Sequence, residues 1–222
     1  MRIEKIKLFA VIFVILAIVL KMNDISAQNA ITFTEIDKKV KDFLDKHAYQ
    51  WNDMNIPATD GKLLYDLIIK NNYTKALEIG TSTGHSAIWL AWALSKTGGK
   101  LITIEIDETR YKEALRNFKE AGLSEYIDAR LADAHDLVPK LKSSFDFVFC
   151  DADKGWYKNY FIEISPKLEV GGCFTAHNVS KYRYLRISGI QEFLDEVERQ
   201  GKYETIIDNS GGGISISYRR EK

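Results

Sequence analysis

The sequence predicts an α/β fold: a doubly wound, mostly parallel sheet of seven strands, with helices on both faces and an antiparallel strand from a C-terminal hairpin. Between residues 77 and 200, short apolar runs alternate with amphipathic segments, which is typical of a parallel sheet covered by helices. Two strand-like segments, 203–207 and 214–218, then flank a glycine-rich turn, which indicates a hairpin. A chain of 222 residues suits one domain.

The first 27 residues have the layout of a signal peptide. Basic residues precede the uninterrupted apolar run 8–20, and the small residues Ser26 and Ala27 follow it. As a helix this run rises only about 20 Å, less than the roughly 30 Å hydrocarbon core of a bilayer. We therefore predict cleavage after Ala27 and an exported domain over residues 28–222. A membrane anchor at residues 8–20 is the alternative, and a cytoplasmic location is the least favoured.

Local signals predict the elements of the domain in order. Thr32 and Glu35 have capping-box spacing at the start of a first helix, and apolar residues at helical spacing predict a second helix over 62–71. Residues 77–91 predict a strand, a tight turn and a helix. The strands predicted after this unit are 101–106, 128–131, 145–150 and 173–176. The helices predicted with them are 108–121, 157–168 with an interruption near Pro166, and 191–200.

Charge and cysteine content limit the class of partner. Lys plus Arg and Asp plus Glu both number 31, which does not favour nucleic acid or another polyanion, so we predict a small-molecule ligand. Cys150 and Cys173 lie in predicted core strands at different depths, and we expect buried thiols without a disulfide. Membrane association is expected only through the N-terminal segment, and the sequence leaves a homodimer open.

The turn within LEIGTSTGHSA, residues 77–87, is suited to an anionic ligand. Gly80 and Gly84 tolerate backbone angles closed to other residues, and the following helix offers free N–H groups to a carboxylate or phosphate. Glu105, at the end of the next strand, is placed to accept the hydroxyls of a ribose. The spacing E-x-G-x-x-x-G differs from the dinucleotide fingerprint, which disfavours an NAD-type oxidoreductase. A purely structural turn is the alternative, and Asp133 fits either an adenine contact or a helix cap.

Polar residues also follow the fourth and fifth predicted strands. Asp151, Asp153 and Lys154 follow the fourth, and His177 and Asn178 follow the fifth. Neighbouring strands lie about 4.8 Å apart, so a carboxylate, an imidazole and an amide oxygen can share one cation. The sequence favours this slightly over a hydrogen-bonded polar rim.

Other residues near these strand ends give weaker signals. His85 and His135 are lone histidines, and we interpret both as incidental. The aromatic residues at 156–161 are predicted to pack their own helix, with Trp156 best placed to reach the cleft.

In this order the motifs resemble those of the cation-dependent O-methyltransferases that use S-adenosylmethionine, the group of catechol and caffeoyl-CoA O-methyltransferases. The resemblance runs from about Met54 to Tyr218 and rests on MNI, LEIGTSTGHSA, LITIEID, LADA, FDFVFCDADKGWY and AHNV. It implies a Rossmann-like fold. It also implies methyl transfer from S-adenosylmethionine to a hydroxyl oxygen of a small, dihydroxyphenyl-type acceptor, assisted by a divalent cation.

The resemblance implies a role for each matching residue. The implied cofactor residues are Ile56 and Glu78 beside the methionine part, Gly80 as the floor, Ser86 at the carboxylate, Glu105 at the ribose, Asp133 and Ala134 at the adenine, and Asp151. The implied metal ligands are Asp151, His177 and Asn178. Lys154 is the implied base, and it forms the catalytic pair with Asp151.

Two features depart from the family pattern. His177 stands where the family has Asp, and a nitrogen ligand favours zinc, manganese or iron over magnesium or calcium, or metal binding is lost. Residues 180–189, SKYRYLRISG, lack the family's tryptophan and glycine pattern, so the acceptor is not named further. A non-catalytic exported binding protein on the same scaffold is the alternative function.

Overall fold

The computed structural model describes residues 35–51, 54–180 and 188–221. The fold below is that of the unit beginning at Lys39, and residues 35–38 before it are helical. The predicted signal peptide or anchor over 1–27 and the predicted helix start at Thr32 lie outside the described residues. Within the described ranges, no helix combines the length and apolar character needed to cross a membrane.

Helices and strands alternate through most of the described chain, as predicted. The helices are α1 (35–46), α2 (Ala58–Asn71), α3 (His85–Thr97), α4 (Glu108–Glu120), α5 (Ala134–Leu137), α6 (Tyr157–Ile164) and α7 (Ser188–Gln200). The strands are β1 (Lys75–Ile79), β2 (Lys100–Glu105), β3 (Ile127–Leu131), β4 (Phe145–Cys150), β5 (Leu168–His177), β6 (Tyr203–Asp208) and β7 (Ile214–Arg219).

These strands form one sheet in the order β3-β2-β1-β4-β5-β7-β6. Strands β1 to β5 pair in parallel, and β7 lies antiparallel between β5 and β6. Strands β2 and β3 are added on one side of β1, whereas β4 and β5 are added on the other, so the direction of winding reverses between β1 and β4. Because parallel crossovers are right-handed, this reversal places the helices of the two halves on opposite faces. The predicted fold class is therefore confirmed, and the reversal opens a crevice at the carboxyl ends of β1 and β4.

The central strands are buried on both faces, which explains their nearly continuous apolar sequence. In β4, five of six residues are buried. Phe161 of α6 and Phe174 of β5 pack edge to face with ring centroids 5.3 Å apart, so the helix layer interlocks with the sheet. Cys150 and Cys173 are buried free thiols, as predicted. In the pairing of β4 with β5, Cys173 lies opposite Phe147 and Cys150 lies opposite Ala176. The two cysteines are therefore three residues apart along the strands, too far for a disulfide.

Strand β5 and helix α6 have different bounds from those predicted. The strand begins at Leu168 rather than at residue 173, and the helix ends at Ile164 rather than at residue 168. Pro166 lies in a 3₁₀ turn, Ser165–Lys167, and a proline has no N–H with which to continue an α-helix. The chain therefore leaves the helix earlier and joins the sheet earlier than the apolar pattern indicates.

Helix α2 begins at Ala58, four residues before the predicted start. Pro57 precedes it with φ −58°, and this fixed angle suits the start of a helix. Asp60 therefore belongs to the first helical turn, where its side chain is buried. The longer helix brings this carboxylate into the interior of the protein.

The register aligns the ends of four strands. Ile79 pairs with Ile104 and with Cys150, and Cys150 pairs with Ala176. The next residues along these strands therefore reach the same edge of the sheet: Gly80, Glu105, Asp151 and His177.

Candidate active site

A cavity of about 530 Å³ opens at this edge of the sheet. Its volume lies within the range of small-molecule sites, roughly 300–1,000 Å³. The predicted site residues in its wall are Gly80, Ser86, Glu105, Asp133, Ala134, Asp151, Lys154, His177 and Asn178. Ile56 and Glu78 are buried behind the wall.

The turn after β1 needs glycine because the chain passes close to the neighbouring strand. Gly80 has φ +100°, and a Cβ there would lie 2.7 Å from the main-chain oxygen of Asp151. The Gly80 N–H donates to the carbonyl of Ile104 at 3.1 Å, so the turn is tied to β2. This leaves main chain, rather than a side chain, at the floor of the cavity.

Glu105 joins this turn to the end of β2. One carboxylate oxygen accepts the N–H of Ser82 at 2.6 Å. The other accepts the N–H groups of Ile106 and Asp107 at 3.0 and 2.9 Å. A carboxylate has about four lone-pair sites, so these three bonds leave one free for a ligand. Glu105 therefore orders the turn and still presents an acceptor to the cavity.

Asp133 takes the capping role, one of the two that the sequence left open for it. Its carboxylate accepts the N–H of His135 at 2.8 Å and so caps α5. The residue also lies in the cavity wall, next to Ala134. The capping role is confirmed, and the wall position is compatible with a contact to a ligand's base.

Glu78 and Ile56 support the cavity from behind. Burial raises the pKa of Glu78 to about 8, although the hydroxyls of Ser86 and Thr103 lower it. One of its carboxyl oxygens lies 2.5 Å from the Thr103 hydroxyl. Ile56 is buried, and its carbonyl is 3.0 Å from Nδ1 of His85. These residues contribute to the shape of the wall from the layer beneath it.

At the other end of the cavity, four charged side chains form a continuous chain of hydrogen bonds. Lys154 Nζ donates to Asp151 Oδ1 at 2.8 Å. Asp151 Oδ2 lies 3.0 Å from Nδ1 of His177, and Nε2 of His177 lies 2.9 Å from Oδ2 of Asp60. The imidazole is therefore held between two carboxylates.

This environment favours the charged form of the imidazole. Burial lowers the pKa of His177, but hydrogen bonds to Asp151 and Asp60 and the attraction of both carboxylates raise it, with a net value of about 9. Both ring nitrogens face carboxylate oxygens, so both carry hydrogens and donate them. His177 is consequently an imidazolium at neutral pH.

Asp60 is the residue of this cluster that the sequence analysis missed. It is 1% exposed, and its Oδ2 also accepts the N–H of Gly212 at 2.8 Å. The Asp-Gly pair at 60–61 is a common turn signal and hides the fact that α2 has already begun. The available signal was the placement of an acid three residues after Pro57, in a first helical turn.

The predicted metal ligands meet, but they bind one another. Both oxygens of Asp151 and both nitrogens of His177 are engaged in the chain of hydrogen bonds. Asn178, with φ +59°, reaches the same edge. Among the described residues, no group of three His, Cys, Asp or Glu is arranged to hold a metal. This donor set does not fit a divalent cation, because both nitrogens of His177 are bonded to carboxylates and the oxygens of Asp151 already face two positively charged side chains.

An aromatic wall borders the cavity on the side of α6. His135 and Tyr160 line the cavity, and the His135 ring stacks on Trp156 with centroids 3.9 Å apart at 23°. The sequence analysis interpreted His135 as incidental and did not predict its place in the cavity wall. Its place directly after Asp133 and Ala134 was the signal that could have identified it.

Comparisons with known proteins agree with this geometry. Residues 23–182, more than half of the chain, match the sequence model of the O-methyltransferase family. Caffeoyl-CoA O-methyltransferase 1 of Eucalyptus globulus is 34% identical over 146 residues, 64% of this chain and 58% of that protein. Catechol O-methyltransferase of Niastella koreensis is 38% identical over 130 residues, 57% of this chain and 58% of that protein. The chain thus spans less than two thirds of the length of these relatives.

A solved structure supports the same relationship. The crystal structure of the O-methyltransferase from Bacillus cereus in complex with SAH has a TM-score of 0.71 and 25% identity to this chain, over 82% of this chain and 91% of that one. The match to the family model, residues 23–182, includes the glycine turn and the strand ends that form the cavity. The chain therefore belongs to the O-methyltransferase family.

Proposed function

We propose that this protein transfers the methyl group of S-adenosylmethionine to a hydroxyl oxygen of a small phenolic acceptor of the dihydroxyphenyl type. The observation that carries the proposal is that the Gly80 turn with Glu105 and the Asp151–Lys154 pair share one cavity. Membership of the family and the SAH complex of the Bacillus cereus relative support the choice of cofactor. The names of the Eucalyptus and Niastella relatives support a phenolic acceptor.

The cofactor half of the cavity offers a partner for each part of S-adenosylmethionine. Ser86 lies in the first turn of α3, where free N–H groups favour a carboxylate. The remaining lone pair of Glu105 suits a ribose hydroxyl. Asp133 and Ala134 line the part of the wall that we assign to adenine. Gly80 leaves the floor open for the methionine part, and Ile56 and Glu78 hold that floor in place from behind.

Lys154 is the residue that we assign to the acceptor hydroxyl. A phenol with a pKa of about 10 is mostly protonated at neutral pH. Its oxygen therefore needs a group that removes the proton or stabilises the negative charge of the phenolate. Once the ammonium of Lys154 has released a proton to solvent, the neutral Nζ takes the hydroxyl proton, and the ammonium that forms again stabilises the phenolate. Asp151, 2.8 Å away, positions that amine.

The remaining step is an in-line displacement. The phenolate oxygen forms a bond to the methyl carbon, and the carbon–sulfur bond breaks with its electron pair going to sulfur. Holding the two reactants in contact accounts for about 7–11 kcal/mol of the barrier in well-oriented reactions. The metal assistance implied by the sequence resemblance is left out of this mechanism, because the side chains that would bind the ion are bonded to one another.

Calorimetry with S-adenosylmethionine tests the proposal directly. We expect binding at micromolar concentration, and the absence of heat at millimolar cofactor would contradict the assignment. Methyl transfer to a panel of dihydroxyphenyl compounds, followed by mass spectrometry, then tests the reaction. Binding of the cofactor without transfer to any acceptor would favour the non-catalytic binding protein.

The location of the domain is a separate part of the proposal. We propose export with cleavage after Ala27, or anchoring through residues 8–20, on the basis of the basic flank and apolar run. N-terminal sequencing of protein purified from soluble and membrane fractions tests this, since a start at Gln28 identifies processing. Sedimentation of the same preparation tests whether the chain forms a homodimer.

A further inference from the structure

We propose that the imidazole of His177, held between Asp151 and Asp60, takes the place of a divalent cation, so that this chain binds no divalent metal at the ends of β4 and β5. The inference deepens the proposed function and rests on it only for its consequence for the reaction. Its direct consequence concerns metal binding, which can be measured without cofactor or acceptor.

The first argument is the occupancy of the donor atoms. An ion bound by Asp151 would lie beside the Lys154 and His177 side chains that donate to Oδ1 and Oδ2 at 2.8 and 3.0 Å, so two positive charges would repel it. An ion bound by His177 has to displace a carboxylate from one ring nitrogen. Asn178 alone then offers an amide oxygen, and divalent cations in proteins take at least three or four protein or water ligands.

The second argument is the balance of charge. Buried carboxylates need a nearby positive charge, and Asp60 and Asp151 are 1% and 13% exposed in their side chains. An imidazolium at position 177 supplies one positive charge and Lys154 the other, so the four side chains sum to zero. Compared with a carboxylate at position 177, an imidazolium raises the charge of the cluster by two, which is the charge that a divalent cation would bring.

The third argument is the enclosure of the bridge by the turn between β6 and β7. A Cβ on Gly212 would lie 2.6 Å from Nε2 of His177, and a Cβ on Gly211 would overlap the carboxylate of Asp60. The Gly212 N–H also donates to Asp60 Oδ2 at 2.8 Å. The glycines thus let main chain pack directly on the bridge, which leaves no room on that side for an ion and its ligands.

Titration with Mn²⁺, followed by electron paramagnetic resonance on the full chain, tests the inference. The variants are His177→Asp and His177→Asn. The first introduces a carboxylate and opens space, and the second has the shape of that aspartate without its charge. We expect His177→Asp to bind Mn²⁺ at least tenfold more tightly than both the wild type and His177→Asn. The matched pair separates the effect of charge from the effect of space.

Two results would overturn the inference. One is stoichiometric Mn²⁺ binding by the wild type that is lost in Asp151→Asn, and this measurement decides the matter even if His177→Asp does not fold. The other is a folded His177→Asp protein that binds Mn²⁺ no better than His177→Asn.

The absence of methyl transfer would contradict the proposed function and leave the metal result standing. If transfer occurs, we expect EDTA to change its rate by less than twofold. Loss with EDTA and recovery with Mn²⁺ would contradict this inference and leave the function intact.

Discussion

The two ends of the cavity are held together in different ways. At the cofactor end, Gly80 and Glu105 belong to adjacent parallel strands and are joined through main-chain N–H and C=O groups. At the reactive end, the essential contacts join side chains, and His177 meets Asp60 across 117 positions of sequence. The first arrangement follows from a local motif, whereas the second depends on where α2 packs.

This difference shows how polar residues at familiar positions after a strand can take a different chemical role. A glycine turn has one purpose wherever the backbone adopts it, because its hydrogen bonds are made by the main chain. A polar side chain at a strand end takes its role from its partners. Asp60 supplies His177 with a second carboxylate, and a candidate metal ligand becomes the cation of an ion-paired cluster.

Replacing Lys154 should have the largest effect and should be confined to the reactive end. We expect Lys154→Met to lower kcat about 10²–10⁴-fold, the usual contribution of a proton-transfer group, with unchanged affinity for S-adenosylmethionine. Steady-state kinetics and calorimetry measure the two quantities. Lys158→Met is the control, because Lys158 lies on α6 and pairs with the exposed Glu192 at 3.7 Å. Equal losses in rate and cofactor affinity for Lys154→Met would place this lysine at the cofactor end instead.

Removing the charge of Asp60 should destabilise the fold more than removing an exposed acid of the same helix. We expect Asp60→Asn to lower the free energy of unfolding by about 3 kcal/mol, because it breaks a buried charge pair. Asp66→Asn should change it by less than about 0.5 kcal/mol, since the Lys62–Asp66 pair is exposed. Urea denaturation measures both. Equal effects would mean that the bridge to His177 contributes little to stability.

Adding a methyl group at Gly80 should affect mainly the cofactor end. The left-handed angle and the contact with the main-chain oxygen of Asp151 together should cost Gly80→Ala about 2 kcal/mol of stability. We also expect cofactor affinity to fall at least tenfold, measured by calorimetry. Gly98→Ala is the control, because Gly98 also has positive φ but nothing within 4 Å of a Cβ. If both variants behave alike, backbone strain alone explains the loss, and the close approach does not matter.

The smallest expected effect is a change in the free energy of unfolding with pH, which we assign to Glu78 and express per pH unit. Its pKa is about 8 in the folded protein because of burial, against about 4.3 when unfolded. The folded state therefore binds one more proton between these values, and stability falls as pH rises by up to about 1.4 kcal/mol per pH unit. Glu78→Gln should remove this contribution to the slope.

Denaturation between pH 5 and 6.5 is the useful window, because His177, with a folded pKa of about 9, is then protonated in both states for most of that range. Burial lowers the pKa of His85 to about 4, so His85 adds a slope of opposite sign in this window, and the quantity to compare is the difference in slope between the wild type and Glu78→Gln. Glu108→Gln, an exposed acid paired with Lys112, should keep the wild-type slope. If Glu78→Gln and the wild type have the same slope, Glu78 does not carry the pH dependence assigned to it.

Several features of this protein could be predicted from sequence because they depend on neighbouring residues. The alternation of apolar runs and amphipathic helices predicts the sheet, and the spacing of Gly80, Gly84 and Glu105 predicts a cofactor turn at its edge. Pro166 ended α6 earlier than the apolar pattern indicated. The start of α2 was also missed, because Asp60 and Gly61 have the composition of a turn but lie in a helix.

By itself the sequence determined the order of the elements, the parallel sheet and the residues that reach its carboxyl edge, because hydrophobic periodicity and turn chemistry act over a few residues. Only the tertiary structure decided that His177 is bonded at both nitrogens and that Asp60 takes part at all. The physical reason is that the charge and hydrogen bonds of a buried side chain depend on which groups share its desolvated volume. Those groups come from distant parts of the chain.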